Sequence, residues 1–463
     1  MKSIKIHKKG WISICLLLML LINGSFVQAA GDNKNVDKHQ IIFALDGSAS
    51  MPGDKWQEAV DSVSMIEAML PSNYETAVMV YNEDVVLCTD FGQTWESQLK
   101  ELQEAGQRGY TNPGLAVGYA MKKFSKDTSY HKRIVFISDG EISMKGQSET
   151  EEALMSYKNA VRTAKKENIK IDTLLFQAEG IEEQISYGAE TTGGFVYRET
   201  KGQPMESFAE HYLFEQLGLE RIMLGTSDAA EYAADICLQD VFSENAKILL
   251  IAESKMEDIR ATCQCKNIRM IQGEKFAIVD LDNPMEENVK VQYTLAEKGK
   301  VNAYLIKEYR LSVNMSSAYE EELSKHRINV CITDARGSRL FADKDMCEKI
   351  EIYINGDRSH YTVEQGSAMI EYPAENPQEV SVKVNFDNLN STVFCSEAEG
   401  KLLIDLPTRK ARSHDGMQYF WLCVIVSGVG VIFAVLLFLL MRAKKKTKGR
   451  QKPYKDYKTL ARY

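Results

Sequence analysis

Five oxygen-bearing side chains fall in three short motifs whose order suits a site better than a core. Asp46-Gly47-Ser48-Ala49-Ser50 follows directly on the apolar run Ile41-Ile42-Phe43-Ala44-Leu45 and offers one carboxylate and two hydroxyls from a single turn. Further on, Gly109-Tyr110-Thr111-Asn112-Pro113-Gly114 sets Thr111 just ahead of a proline suited to a first helical position. The run Ile134-Val135-Phe136-Ile137-Ser138 then leads into Asp139-Gly140-Glu141. Asp46 and Asp139 with the hydroxyls of Ser48, Ser50 and Thr111 make a hard, oxygen-only donor set. That set suits Mg²⁺, which takes six oxygens at roughly 2.0–2.1 Å and keeps several of them as water. If only part of the carboxylate charge touches the ion, a position stays open and electropositive for an anionic oxygen. The first pentapeptide alone also reads as a turn in which Asp46 and Ser48 cap a helix starting near Asp54. The three motifs in series favour the metal site. Glu141 and Asp54 read as solvated loop acids and Trp56 as a core residue. Tyr110 is either a ligand-contact edge or loop packing.

The elements around these motifs alternate. Gln40–Leu45, Glu75–Tyr81, Asp84–Leu87, Arg133–Ser138, Lys170–Phe176 and Gly193–Tyr197 read as strands. Lys55–Leu70, Thr94–Glu104, Pro113–Phe124, Glu151–Glu167, Glu182–Glu190 and Met205–Met223 carry helical spacing. Strands separated by helices imply crossover units and a mainly parallel sheet, whose ligands bind beyond the carboxyl ends of the strands. After about Ser227 the texture changes to short apolar runs bounded by turn residues. Among them are Lys247–Ala252, Phe276–Leu281, Val289–Leu295, Val301–Val313, Arg327–Thr333 and Val380–Asn385. This rhythm predicts two β-sandwich modules at 228–315 and 325–407, joined by a hinge at Tyr319–Lys325.

With the motifs in place, residues 38–226 resemble a von Willebrand factor type A (VWA) domain. The resemblance implies a doubly wound, Rossmann-like α/β fold. It also implies the family's metal-ion-dependent adhesion site (MIDAS), with Asp46, Ser48, Ser50, Thr111 and Asp139 at its five positions. It implies Mg²⁺ as the usual ion, with Mn²⁺ or Ca²⁺ as possible substitutes, and an acidic side chain of a protein partner completing the coordination. The β-rich remainder resembles modules that follow such domains in bacterial surface proteins.

Charge and hydropathy place the chain. Lys2, Lys5, Lys8 and Lys9 precede the apolar run Trp11–Ile22, and small residues close the stretch at Ala29-Ala30, the layout of a secretory signal peptide over 1–30. Residues 419–441 form a charge-free apolar run long enough to span a bilayer. The tail 442–463 carries ten Lys/Arg against the single acid Asp456 and is expected in the cytoplasm. The chain therefore reads as a type I single-pass membrane protein with its ectodomain outside. Without signal and tail, 42 Lys/Arg face 64 Asp/Glu, a net charge near −22 that repels nucleic-acid phosphates.

Seven of the nine cysteines fall outside: Cys88, Cys237, Cys263, Cys265, Cys331, Cys347 and Cys395. An odd number cannot pair fully within one chain, and Cys331 with Cys395 is the spacing that could bridge two sheets. The seven histidines are scattered, and no His-Glu-x-x-His, Gly-x-Ser-x-Gly or phosphate-loop pattern occurs. The expectation is a metal-dependent receptor or adhesin rather than an enzyme. A scaffold or assembly subunit of a membrane complex is the alternative.

Overall fold

The computed structural model describes residues 37–404 apart from 52, 177–183, 199–205, 321–324, 374–377 and 396. The chain divides into Met1–Ile404 and Asp405–Tyr463. The expected signal at 1–30, the span at 419–441 and the tail at 442–463 lie outside the described residues. Among the described residues no helix is long and apolar enough to cross a membrane.

A six-stranded sheet comes first, from β1 (Lys38–Asp46), β2 (Tyr74–Tyr81), β3 (Val85–Cys88), β4 (Tyr130–Ser138), β5 (Ile169–Leu175) and β6 (Val196–Arg198). Its order is β3-β2-β1-β4-β5-β6, with only β3 antiparallel to its neighbour. Strand β1 explains its own place. Ile41, Phe43 and Leu45 enter the core on one face, while Ile42 and Ala44 enter the core on the other. A strand apolar at every position belongs in the middle of a parallel sheet covered on both sides.

The helices are α1 (Asp54–Met69), α2 (Trp95–Glu104), α3 (Pro113–Lys123), α4 (Gln147–Lys166), α5 (Ser186–Thr192) and α6 (Glu206–His211), the last running into a π-helical turn at Tyr212–Gln216. In α4 the buried residues Ala153, Tyr157, Val161 and Ala164 form one stripe at helical spacing. Helix α3 packs closely on it: a side chain at Gly114 would meet the backbone nitrogen of Tyr157 at 2.7 Å. The glycine behind Thr111 thus lets α3 seat against α4. Helix α1 buries ten of its sixteen residues, too many for a single stripe, because it is covered twice. One side faces the parallel sheet. The other meets Leu249, Phe276, Ile278, Tyr304 and Ile306 of the β-rich part within a single core.

In that β-rich part, the strands Met256–Thr262, Asn288–Leu295 and Glu231–Cys237 form a three-stranded sheet, in that order, opposite one ordered Asn267–Gln272, Phe276–Asp282, Asn245–Ala252 and Lys300–Arg310. From β9 (Asn245–Ala252), β12 (Phe276–Asp282), β13 (Asn288–Leu295) and β14 (Lys300–Arg310), the residues Ile248, Leu250, Val279, Leu281, Val291, Val301 and Leu305 share the core between them. Strand β7 (Ile222–Asp228) pairs antiparallel with β14, and the short strand Thr392–Phe394 pairs parallel with it. Beyond lie two four-stranded antiparallel sheets around a fourth core. The chain is thus a VWA-like parallel α/β sheet followed by antiparallel β-sheet modules.

Four expectations change. The helical reading of Met205–Met223 runs too far: the π-helical turn ends at Gln216, Gly218 turns the chain at φ 68°, and Ile222 begins a strand. The apolar triplet Ile222-Met223-Leu224 has no period of its own, and pairing with β14 decides its form. The single run Val301–Val313 is two strands, β14 and β15 (Ser312–Glu320), in different sheets. The ends of the expected hinge at Tyr319–Lys325 are paired strand residues, Tyr319 with His326 and Glu320 with Lys325 of β16 (Lys325–Thr333). Cys331 and Cys395 are both free thiols, as are Cys88, Cys237, Cys263, Cys265 and Cys347. Cys331 sits between the buried Val330 and Ile332 and so points to the outer face of β16, whereas Cys395 packs against the module core.

Candidate functional site

The site forms where the sheet order reverses. Chain connections from β1 run to β2 on one side, and β4 lies on the other, so loops leaving β1 and β4 diverge and open a crevice at their carboxyl ends. Asp46 is the last residue of β1, and Asp139 follows the last residue of β4. Backbone bonds pin the Thr111 loop to the first: Arg108 N donates to Gly47 O at 2.8 Å, and Ala49 N donates to Gly109 O at 3.2 Å. Thr111 N donates to Ser143 O at 2.8 Å, tying the same loop to the segment after Asp139. Asn82 Nδ2 donates to Arg108 O at 3.0 Å and braces it from β2. All three sequence motifs meet in one place.

Within it Asp46 is fully buried, Ser48 and Thr111 are nearly so, and Ser50 is exposed at the mouth. Asp46 Oδ1 accepts Ser48 N at 2.9 Å, and Oδ2 accepts Ser138 Oγ at 2.6 Å. Ser48 Oγ and Ser50 Oγ lie 3.1 Å apart, within hydrogen-bond distance of each other. Helix α1 takes no side-chain cap, so Asp46 and Ser48 do not serve as its cap. The Asp139 side chain is 14% exposed, yet its Oδ1 is buried without a hydrogen-bond partner, as is Tyr81 Oη below the site.

Burial pushes the Asp46 carboxyl up to about 6, and the neighbouring Asp139 adds to this, while hydrogen bonds from Ser138 and Ser48 oppose it. A buried carboxylate held by neutral donors alone lacks the counter-charge that would bring it back to its ordinary range. The donor set fits a hard cation on this ground. Both acids keep acceptor capacity, one oxygen of Asp139 is unspent, and the remaining donors are hydroxyls. Asp46, Ser48, Ser50, Thr111 and Asp139 are the residues that could hold it.

Glu141 and Asp54 are exposed, Tyr110 is 39% exposed with its backbone N–H on Glu83 Oε2 at 2.7 Å, and Trp56 is in the core. Two residues of the site were missed from sequence. Ser138 appears there only as the end of an apolar strand, although a lone hydroxyl one residue before an acid is a readable signal. Lys55, whose Nζ lies 3.7 Å from Asp139 Oδ2, gives no local sign, since its partner is far away in the chain.

The von Willebrand factor type A domain family matches residues 40–211. No curated protein matches the chain. Among solved structures, an aerotolerance-related membrane protein of Bacteroides fragilis is 16% identical, over 37% of this chain and 95% of its own, with a TM-score of 0.29. The conserved hypothetical protein BatB of Bacteroides thetaiotaomicron is 17% identical, over 39% and 99%, with a TM-score of 0.30. The vWF domain of the type V pili tip protein Mfa5 of Porphyromonas gingivalis is 11% identical, over 38% and 96%, with a TM-score of 0.32. Residues 40–211 of this chain, carrying the strand-exit loops described above, form a von Willebrand factor type A domain.

Proposed function

We propose that this chain is an extracellular receptor or adhesin that binds a protein or peptide ligand through Mg²⁺ held by Asp46, Ser48, Ser50, Thr111 and Asp139. The observation that carries the reading is the pair of acids at the adjacent exits of β1 and β4, with Asp46 buried on neutral donors and Asp139 Oδ1 unpartnered. When bound, the ion supplies a Lewis-acidic position for an acidic side chain of the ligand. Asp46, oriented by Ser48 N and Ser138 Oγ, provides fixed negative charge. Ser48, Ser50 and Thr111 provide neutral oxygens, which leave more of the ion's charge for the ligand than further carboxylates would. The chemistry proposed is binding rather than catalysis: His39 and His131 pair across the starts of β1 and β4, at the end of the sheet away from the site. Residues 31–418 would face outward, anchored by the 419–441 span with the basic tail inside.

Calorimetric titration of Mg²⁺ into the purified full-length chain tests this. Wild type should bind at millimolar ion or below, and Asp46→Ala should not, with its melting transition retained. Absence of both Mg²⁺ and Mn²⁺ binding by the wild type would sink the proposal. The shared core of α1 and the β-rich part, which makes one body of the two, favours a scaffold subunit as the second reading. Co-purification with other membrane proteins that persists in chelator would put that reading first.

A further inference from the structure

We infer that Lys55 makes this site selective for anionic ligands, an inference that rests on the metal-site reading above. Lys55 stands in the first turn of α1, just beyond the Asp46–Ser50 loop. Its Nζ lies 3.7 Å from Asp139 Oδ2 and donates to Ser50 O at 3.4 Å, so the ammonium joins two of the three loops. Among the described residues this is the ion pair that reaches a site carboxylate. The contact is loose and the side chain is 32% exposed. A compact ammonium on a flexible four-carbon stem can leave such a partner without unfolding anything. Of the nearby acids, Glu83 is held by Tyr110 N, and Glu141 points into solvent.

Charge counting shows what the residue does. Two carboxylates cancel a divalent ion, and a neutral site has little electrostatic preference for an anion. Lys55 restores one positive charge at the mouth, where Ser50 is exposed. The ammonium and the ion also compete for Asp139. Once the ion holds that carboxylate, Lys55 is released toward the opening and becomes a second contact for an incoming carboxylate. One side chain therefore weakens cation binding and strengthens anion binding. A merely structural lysine would move both affinities the same way or neither.

The test compares purified full-length wild type, Lys55→Met and Lys55→Arg. Mn²⁺ affinity is read by calorimetry. At saturating Mn²⁺, glutarate is then titrated as the anion probe and followed by water-proton relaxation of the bound ion. Lys55→Met should bind Mn²⁺ about 2- to 5-fold tighter and glutarate several-fold more weakly, while Lys55→Arg should match wild type in both. Thermal melts keep misfolding apart from either effect. If wild type binds Mn²⁺ but Lys55→Met binds it no tighter, or both affinities shift in one direction, the role of Lys55 is overturned and the metal site stands. If wild type binds no Mn²⁺, the metal site itself fails and the inference falls with it.

Discussion

Two buried carboxylates lie in different parts of the molecule and are treated in opposite ways. Asp240, beside the β-sheet modules, is 2% exposed and faces Lys307 of β14, whose Nζ is 2.5 Å from Oδ2 and itself nearly inaccessible. Tyr309 Oη donates to the same oxygen at 2.7 Å, Phe242 N donates to Oδ1 at 3.0 Å, and Lys307 also donates to Leu238 O at 3.1 Å. Both carboxylate oxygens of Asp240 and the Lys307 ammonium have partners within the chain. Asp46 is buried as deeply but has the neutral donors of Ser48 and Ser138 in place of a cation, with a second acid nearby. Burial costs a charge several kcal/mol unless it is paired. A charge compensated within the chain is therefore architecture, and one left uncompensated points to a ligand. Burial alone does not separate the two; the counter-charge does.

The largest effect should come from breaking the compensated pair. Lys307→Ala leaves Asp240 buried and unpaired and should cost about 3–5 kcal/mol of stability, measured by urea unfolding. A loss below about 1 kcal/mol would mean that water replaces the ammonium and the contrast is overstated. At the other carboxylate the sign differs. Asp46→Asn should remove Mg²⁺ affinity by more than the roughly 10–100-fold typical of an outer supporting residue, while the metal-free melting temperature holds or rises. A clear loss of metal-free stability would make Asp46 a structural acid like Asp240.

Ser138→Ala sharpens the comparison by removing a donor from Asp46 without touching an expected ligand. Mg²⁺ affinity should fall by roughly 10-fold in the same titration, and an unchanged value would show that Ser48 N alone orients the carboxylate. The smallest effect concerns a half-buried base that escapes the problem by staying neutral. His39 stacks on Tyr74 at 4.2 Å, and burial, aided by His131 and opposed by Asp37, lowers its ring to about 4. The folded-state value lies below the ordinary 6.5, so the folded form binds fewer protons in between. Its contribution is present above about pH 6.5 and is lost as pH falls toward 4. His39→Phe keeps the stacking and should shrink the drop in melting temperature between pH 7 and pH 5. An equal drop in both proteins would assign the acid sensitivity elsewhere.

Much of the first sheet was legible because its strands and helices obey local periods. The apolar run 41–45 and the stripe on α4 can be read residue by residue, and Pro113 and Asn112 mark the start of α3. The three oxygen motifs were legible for the same reason, since each sits at the end of an element and element ends are where polar residues can be spared from packing. The limits of β7, the break at Leu311 and the β15–β16 pairing were not. Short apolar runs fit helix or strand equally, and their partners decide between them.

The order of elements, the residue types of the site and the exit of Asp46 and Asp139 from apolar strands follow from sequence alone, because side-chain periodicity and turn chemistry are local properties. Only the tertiary structure decided that Ser138 supports Asp46, that Lys55 faces Asp139 and that Lys307 neutralises Asp240. It also decided that α1 is covered on two sides by parts of the chain far apart in sequence. Each of these depends on whether a charge or an apolar face meets its partner through space, and no window of neighbouring residues contains that distance.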